Sequence, residues 1–276
     1  MSRLSVVVPA YNEQEAIGQV LQRIVAVSSA LRREAGVSEL EVLVVDDGST
    51  DGTARAVEEF RAGAGNGSVA VRLIRHAVNR GYGAALQTGY AAARGSLLAF
   101  LDGDRTYPPE SLPALCRAAL RPGVALVLGD RMSAGAWHMP TGRRLGNAAF
   151  ALLASLLSGT RVADCCSGMR VLHASTWRQL GPLPAGLEFS PTMTLRALHR
   201  GLALEQVAIP YYERVGASKL RVMQDGVRFL GAILGETWRH RPARVCGMVG
   251  AAGASFLGLA GALALLALHR SPYSRL

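Results

Sequence analysis

Continuous apolar runs alternate with amphipathic stretches over the first hundred residues. The run LSVVVPA (4–10) is apolar without alternation, which predicts a strand covered on both faces. Residues 12–33 then place Ile17, Val20, Leu21 and Ile24 at helical spacing, with Asn12 as N-cap and Glu15 three residues on. The same alternation recurs: strand LEVLVVDDGS (40–49), helix 49–62 opened by Ser49 or Thr50, strand VAVRLIRH (69–76), helix 81–95, and strand SLLAFLDGD (96–104). Apolar strands joined by short helical crossovers predict an α/β fold, Rossmann-like, with a mostly parallel sheet and helices on both faces. From 124 the pattern loosens into a strand (124–132), a Gly-rich connection (133–142), a helix from about Arg143 to Leu157, DCCSGMRVLH (164–173) before a further helix, and a late strand, ALEQVAIPYYERV (203–215).

The tail is of another kind. Residues 245–268 carry no charge. As a helix they would extend roughly 36 Å, against about 30 Å for a bilayer core, so a single C-terminal transmembrane helix is expected there. Before it, Leu220, Met223, Val227, Leu230 and Leu234 share one helical face, which predicts an amphipathic helix lying in the membrane interface. The expected division is a catalytic domain (1–219), an interfacial helix with a basic juxtamembrane segment (220–244), the span (245–268) and a short tail (269–276). Basic residues around RHRPAR place that side, and the catalytic domain, in the cytoplasm. Gly250, Ala254, Gly258 and Ala262 form a small-residue stripe suited to a second copy or a partner membrane protein, though plain Gly/Ala richness explains it equally.

Composition narrows the partners. A formal net charge of +10 points to something anionic: nucleic acid, lipid or a phosphorylated substrate. The basic residues gather beside the apolar tail and aromatics make up 6%, which disfavours nucleic acid. The opening MSRLSVVVPAYNEQEA turns polar too soon for a secretory signal. Four cysteines without CxxC spacing, Cys165 and Cys166 adjacent, predict neither a disulfide framework nor a zinc site, and a reducing, cytoplasmic compartment.

The chemistry gathers at strand ends. In parallel sheets ligands bind beyond the carboxyl ends of the strands. Asp46-Asp47, Asn79–Gly83 and Asp102-Gly103-Asp104 all fall there. Two carboxylates at the end of a buried strand repel each other and are costly to desolvate, so a cation is expected between them. A hard divalent ion with positions open to a diphosphate suits this oxygen donor set.

Taken together, SVVVPAYNE (5–13), VLVVDDGSTDGT (42–53), NRGYGAALQTG (79–89), LDGDRTYPPE (101–110), DCCSGMRV (164–171) and YYERVGASKL (211–220) give the chain its resemblance. It resembles the family 2 inverting glycosyltransferases of GT-A fold, in the branch of dolichol-phosphate mannose synthases and polyprenyl-phosphate glycosyltransferases, over about 1–235. The resemblance implies a hexosyltransferase moving mannose or glucose from GDP-mannose or UDP-glucose to a polyprenyl or dolichyl phosphate. It places Pro9, Tyr11, Glu13, Asp47, Asn79, Gly81, Asp102 and Asp104 at the nucleotide-sugar, with Asp102 and Asp104 on Mg²⁺ or Mn²⁺. Arg131, Arg170, Arg214, Ser218 and Lys219 would hold the acceptor phosphate. Asp104, Asp164 and Arg170 are the catalytic residues it implies, with Asp164 a base or an acceptor-orienting group and Glu188 a weaker acceptor-side carboxylate. A lipid monophosphate is already an anion and needs fixed positive charge rather than a strong base.

The chain departs from the family pattern at Arg105, Met169 and Cys165-Cys166, while His76 and Arg80 have no evident part. Two other readings stay open. One is transfer to a hydroxyl acceptor, with Asp164 as a true base; the other is a non-catalytic scaffold that binds nucleotide-sugar.

Overall fold

In the computed structural model, which describes residues 2–63, 69–134, 138–216 and 221–269, the apolar runs form one seven-stranded sheet. In chain order the elements are β1 (Ser2–Ala10), α1 (Ile17–Ala26), α2 (Ser28–Ala35), β2 (Val37–Asp46), α3 (Thr53–Gly63), β3 (Ala70–Arg75), α4 (Tyr82–Ala92), β4 (Leu97–Leu101) and α5 (Leu112–Ala119). They continue as β5 (Val124–Asp130), α6 (Thr141–Ser158), β6 (Met169–His173), α7 (Ala174–Leu180), α8 (Phe189–His199), β7 (Ala203–Ala208), α9 (Val222–His240) and α10 (Pro242–His269). The strand order is β3-β2-β1-β4-β6-β5-β7. Every pairing is parallel except those of β6, which runs antiparallel to β4 and β5. The α/β fold and its mostly parallel sheet are thus as expected.

The pleat divides each run between two cores. Val6 and Val8 meet Ile17, Leu21 and Ile24 on one face, while Val7 points to the other face with Leu86 and Phe100. Both faces are apolar, which is why the strands show no alternation.

Locally the structure corrects several expectations. The helix expected over 12–33 is two, parted at Val27. Asn12 is not its cap: it takes φ +54 and its Oδ1 accepts from Thr50 N at 2.9 Å, tying the loop after β1 to the loop after β2. α3 begins at Thr53, whose N–H donates to Asp51 Oδ1 at 2.9 Å, rather than at Ser49 or Thr50. Part of DCCSGMRVLH is strand β6, whose backbone is paired on both sides.

The helix expected in the interface, α9, packs on the body along a face other than the predicted apolar one. Ile233 and Thr237 are fully buried, and Arg196 of α8 bonds Glu236 at 2.6 and 2.8 Å. Met223, Val227 and Leu230 remain exposed. The transmembrane span does not hold: among the described residues, no helix is long and apolar enough to cross a membrane. α10 runs from Pro242 to His269, and its stretch from 246 to 255 is mostly Gly and Ala. The membrane-anchored, cytoplasm-facing placement that rested on that span falls with it. Ser218 and Lys219 lie outside the described residues, as do residues 270–276 of the expected tail.

Candidate active site

β1, β2 and β4 run side by side in one direction, so their carboxyl ends bring residues 9–13, 46–48 and 102–107 to one edge of the sheet. There a cavity of about 480 Å³ opens, walled on its far side by α6 and α9. Pro9, Tyr11, Glu13, Asp47, Asn79 and Gly81 all line it. So do Asp102, Asp104, Arg131 and Arg214.

Asp47 organises one wall. Its Oδ1 lies 2.6 Å from His76 Nδ1 and accepts from Arg80 N at 2.9 Å, while Oδ2 accepts from Gly81 N at 2.8 Å. The far side of the His76 ring meets Thr88 Oγ1 at 2.9 Å. His76 and Arg80 therefore acquire a part: they fix the carboxylate that faces the cavity. Gly81 is required twice over, by its φ of +100° and because a side chain there would stand 2.6 Å from the Ala185 carbonyl oxygen.

Asp102 accepts the Tyr82 hydroxyl at 2.8 Å and backs onto Gly168, where a Cβ would come within 2.5 Å of its Oδ2. Burial first, and then repulsion from Asp104, push its carboxyl up to about 7. Asp104 turns Oδ1 back to Thr106 N and Oγ1, at 3.1 and 2.6 Å, and gives Oδ2 to Arg214 Nη1 at 2.7 Å. Arg214 Nη2 reaches Glu13 at 2.6 Å, so this arginine stands on the donor-side carboxylates rather than on the acceptor side. Between Asp104 and Thr106, Arg105 holds φ +70, a left-handed conformation uncommon for a residue with a side chain.

Across the cavity, Arg131 reaches Asp164 with Nε at 2.6 Å and Nη2 at 2.8 Å. The Tyr107 and Tyr211 rings stand 5.7 and 5.3 Å from its guanidinium carbon, in cation–π range. Burial pulls Arg131 down, but Asp164 outweighs it and holds the guanidinium above its ordinary value.

Two expected catalytic residues are corrected. Asp164 is fully buried, with Oδ2 taken by Arg131 N and Nε and Oδ1 by Arg131 Nη2 and Cys166 N. It positions Arg131 and is not open to an acceptor as a base. Arg170 is also fully buried and gives Nε to Ser167 O, Nη1 to Thr194 Oγ1 and Nη2 to Cys165 O, at 3.1, 2.9 and 2.8 Å. It pins the 165–168 loop from behind and does not line the cavity; burial lowers its pKa. Glu188 lies half-buried beside Gly186, outside the cavity lining.

Tyr82, Tyr107 and Tyr211 were not singled out from the sequence. All three lie inside motifs that were, so an aromatic neighbour in an acidic or basic motif was the available signal.

Among the described residues no three His, Cys, Asp or Glu side chains gather to hold a metal by themselves. Asp102 and Asp104 nonetheless fit a cation that takes its remaining oxygens from a diphosphate and water, because Mg²⁺ in such sites uses one or two carboxylates. Asp102, raised by burial and by its acidic neighbour, is the group a cation would relieve.

The parallel α/β sheet and the acidic cavity at its carboxyl edge suit a transferase, and comparison with known proteins names the family. Residues 5–180 match glycosyl transferase family 2, and the chain belongs to that family. It is similar to the dolichyl-phosphate hexose transferase of Haloferax volcanii, 36% identical over 81% of this chain and 89% of that one. It is also similar to the dodecaprenyl-phosphate galacturonate synthase of Rhizobium johnstonii, 27% identical over 96% and 74%. Some curated relatives are longer, the chain spanning 52% of one of them. Its fold matches glucosyl-3-phosphoglycerate synthase of Mycobacterium tuberculosis, crystallised with Mn²⁺, UDP-glucose and phosphoglyceric acid, at TM-score 0.65 and 24% identity over 86% of this chain and 80% of that one. The chain is therefore a glycosyltransferase.

Proposed function

We propose that this glycosyltransferase moves a hexose, mannose or glucose, from a nucleotide-diphosphate sugar to a polyprenyl or dolichyl phosphate with inversion at the anomeric carbon. The observation that carries the reading is the Arg131–Asp164 pair. The acceptor side of the cavity presents a fixed guanidinium whose carboxylate partner is fully engaged, which suits an acceptor that arrives already ionised. The two relatives named for lipid-phosphate transfer support it.

In the reaction an acceptor phosphate oxygen forms the new bond to the anomeric carbon as the bond from that carbon to the diphosphate oxygen breaks. The electron pair leaves with the nucleoside diphosphate. Asp47 and the N-terminus of α4 line the nucleoside end, and Arg131 orients the incoming phosphate. Mg²⁺ or Mn²⁺ held by Asp102 and Asp104 would supply Lewis-acid neutralisation of the departing diphosphate. Catalysis by the chain is positioning and electrostatics.

The test is transfer from radiolabelled GDP-mannose and UDP-glucose, in parallel, to a short polyprenyl phosphate with Mg²⁺ or Mn²⁺ and an Asp104→Ala control. Labelled lipid from one donor, lost in the control, supports the reading and identifies the sugar. Donor hydrolysis without labelled lipid refutes the acceptor.

A further inference from the structure

Arg214 touches two carboxylates that arrive from opposite ends of the chain. Nη1 lies 2.7 Å from Asp104 Oδ2 and Nη2 lies 2.6 Å from Glu13 Oε1. Asp104 has only one oxygen to offer a cation, because Oδ1 accepts twice from Thr106. That remaining oxygen is the one Arg214 occupies. A guanidinium and a divalent ion on the same carboxylate oxygen would repel strongly in this enclosed site.

The arginine is also incompletely satisfied where it stands. Its Nε is enclosed and has no hydrogen-bond acceptor among the described residues. A buried donor without a partner is a cost that a phosphate oxygen would remove, since the guanidinium fork matches phosphate as well as carboxylate. Backbone bonds from Tyr212 N to Thr106 O at 3.0 Å and from Val215 N to Asp104 O at 3.2 Å hold the main chain beside the site. A change of partner therefore needs rotation of the side chain and no displacement of the segment.

We infer that Arg214 is a resident counter-ion of the metal-free site, which a divalent cation must displace from Asp104, and that a nucleotide diphosphate pays for the displacement by accepting the released guanidinium. The inference rests on the reading of Asp104 as a cation ligand. It makes metal and nucleotide bind as a coupled pair: neither charge can settle without the other, and the free enzyme keeps its carboxylates neutralised between turnovers.

The experiment measures Mn²⁺ binding to the full chain by electron paramagnetic resonance, alone and with saturating UDP or GDP. Wild type is expected to bind Mn²⁺ weakly alone and roughly tenfold or more tightly with nucleotide, a coupling of ordinary allosteric size. Arg214→Gln is expected to bind Mn²⁺ alone about tenfold more tightly than wild type, with most of the nucleotide enhancement gone. Arg214→Lys, which keeps the charge, should follow wild type. Arg214→Met, apolar and of similar reach, carries the same expectation as Arg214→Gln should that variant fail to fold. Unchanged or weaker binding of Mn²⁺ alone by the neutral variants, with nucleotide-dependent binding intact in wild type, overturns the counter-ion and leaves the metal reading standing. Absence of Mn²⁺ binding by every form, with either nucleotide, overturns the metal reading and the inference with it.

Discussion

Arg131 and Asp164 stand 33 residues apart in the chain and meet at two points, Nε to Oδ2 at 2.6 Å and Nη2 to Oδ1 at 2.8 Å. Two tyrosine rings flank the guanidinium, so its fork cannot swing without leaving both. Removing one member of a buried pair leaves the other charged and unmatched, at a cost of about 3–5 kcal/mol. Asp164→Ala is therefore expected to lower the melting temperature clearly. In the folded fraction of Asp164→Asn, KM for lipid phosphate should rise more than KM for the sugar donor. Steady-state kinetics with each substrate varied separately checks this; a loss confined to kcat with both KM values unchanged would restore Asp164 as a base.

Tyr82 donates the one side-chain hydrogen bond that stabilises ionised Asp102 from the α4 side. Tyr82→Phe pushes the Asp102 carboxyl further up, so less of it is ionised near neutrality. Affinity for donor with metal should fall roughly tenfold, the order of one hydrogen bond to a charged group. Calorimetric titration with the nucleotide diphosphate reads the change. Equal affinities in the two proteins would show that the hydroxyl does not tune the carboxylate.

Arg170 is fully buried and spends its guanidinium on the protein's own groups. It closes on Ser167 O, Cys165 O and Thr194 Oγ1, and Arg170→Met would leave buried acceptors unpaired, at a cost of about 2–4 kcal/mol. Urea unfolding is expected to show that loss, and Arg170→Lys should recover little, because an ammonium cannot serve three directions of a planar fork. A variant with wild-type stability and a selective loss of lipid-phosphate binding would return Arg170 to the acceptor.

His199 gives the fold a pH dependence of known sign. It is half-buried, its ring stacks on His240 at 5.6 Å, and burial followed by that neighbour lowers its pKa to about 4. The unfolded chain takes up this proton near 6.5, so stability is fully present above about 6.5 and is lost as pH falls toward 4. The loss in unfolding free energy between pH 7 and pH 5 should be smaller in His199→Gln than in wild type. Identical losses would place the pH dependence elsewhere.

The strands could be read from the chain because both faces of this sheet are covered. Val6, Val7 and Val8 are all fully buried, and a run without alternation is what such burial writes into sequence. Asp102 and Asp104 were legible for a related reason: one residue apart at the end of an apolar strand, their conflict is local. The break at Val27, the strand β6 and the seat of α9 were not, since each is decided by what lies across the interface rather than by periodicity. α9 leaves the predicted stripe of Met223, Val227 and Leu230 exposed and seats a different face on the body through Ile233, Thr237 and the Arg196–Glu236 pair, which the spacing does not reveal.

By itself the sequence determined the alternation of strand and helix, the family and the acidic edge where a nucleotide diphosphate is expected, because these depend on short spacings. The tertiary structure alone decided which charges face that edge. Arg131 finds Asp164 across 33 residues and Arg214 finds Asp104 across 110 and Glu13 across 201, while Arg170, with an equally persuasive motif, turns inward. A guanidinium settles on whichever anion or carbonyl the fold leaves within hydrogen-bond reach, and that distance is a property of packed elements that no local pattern encodes.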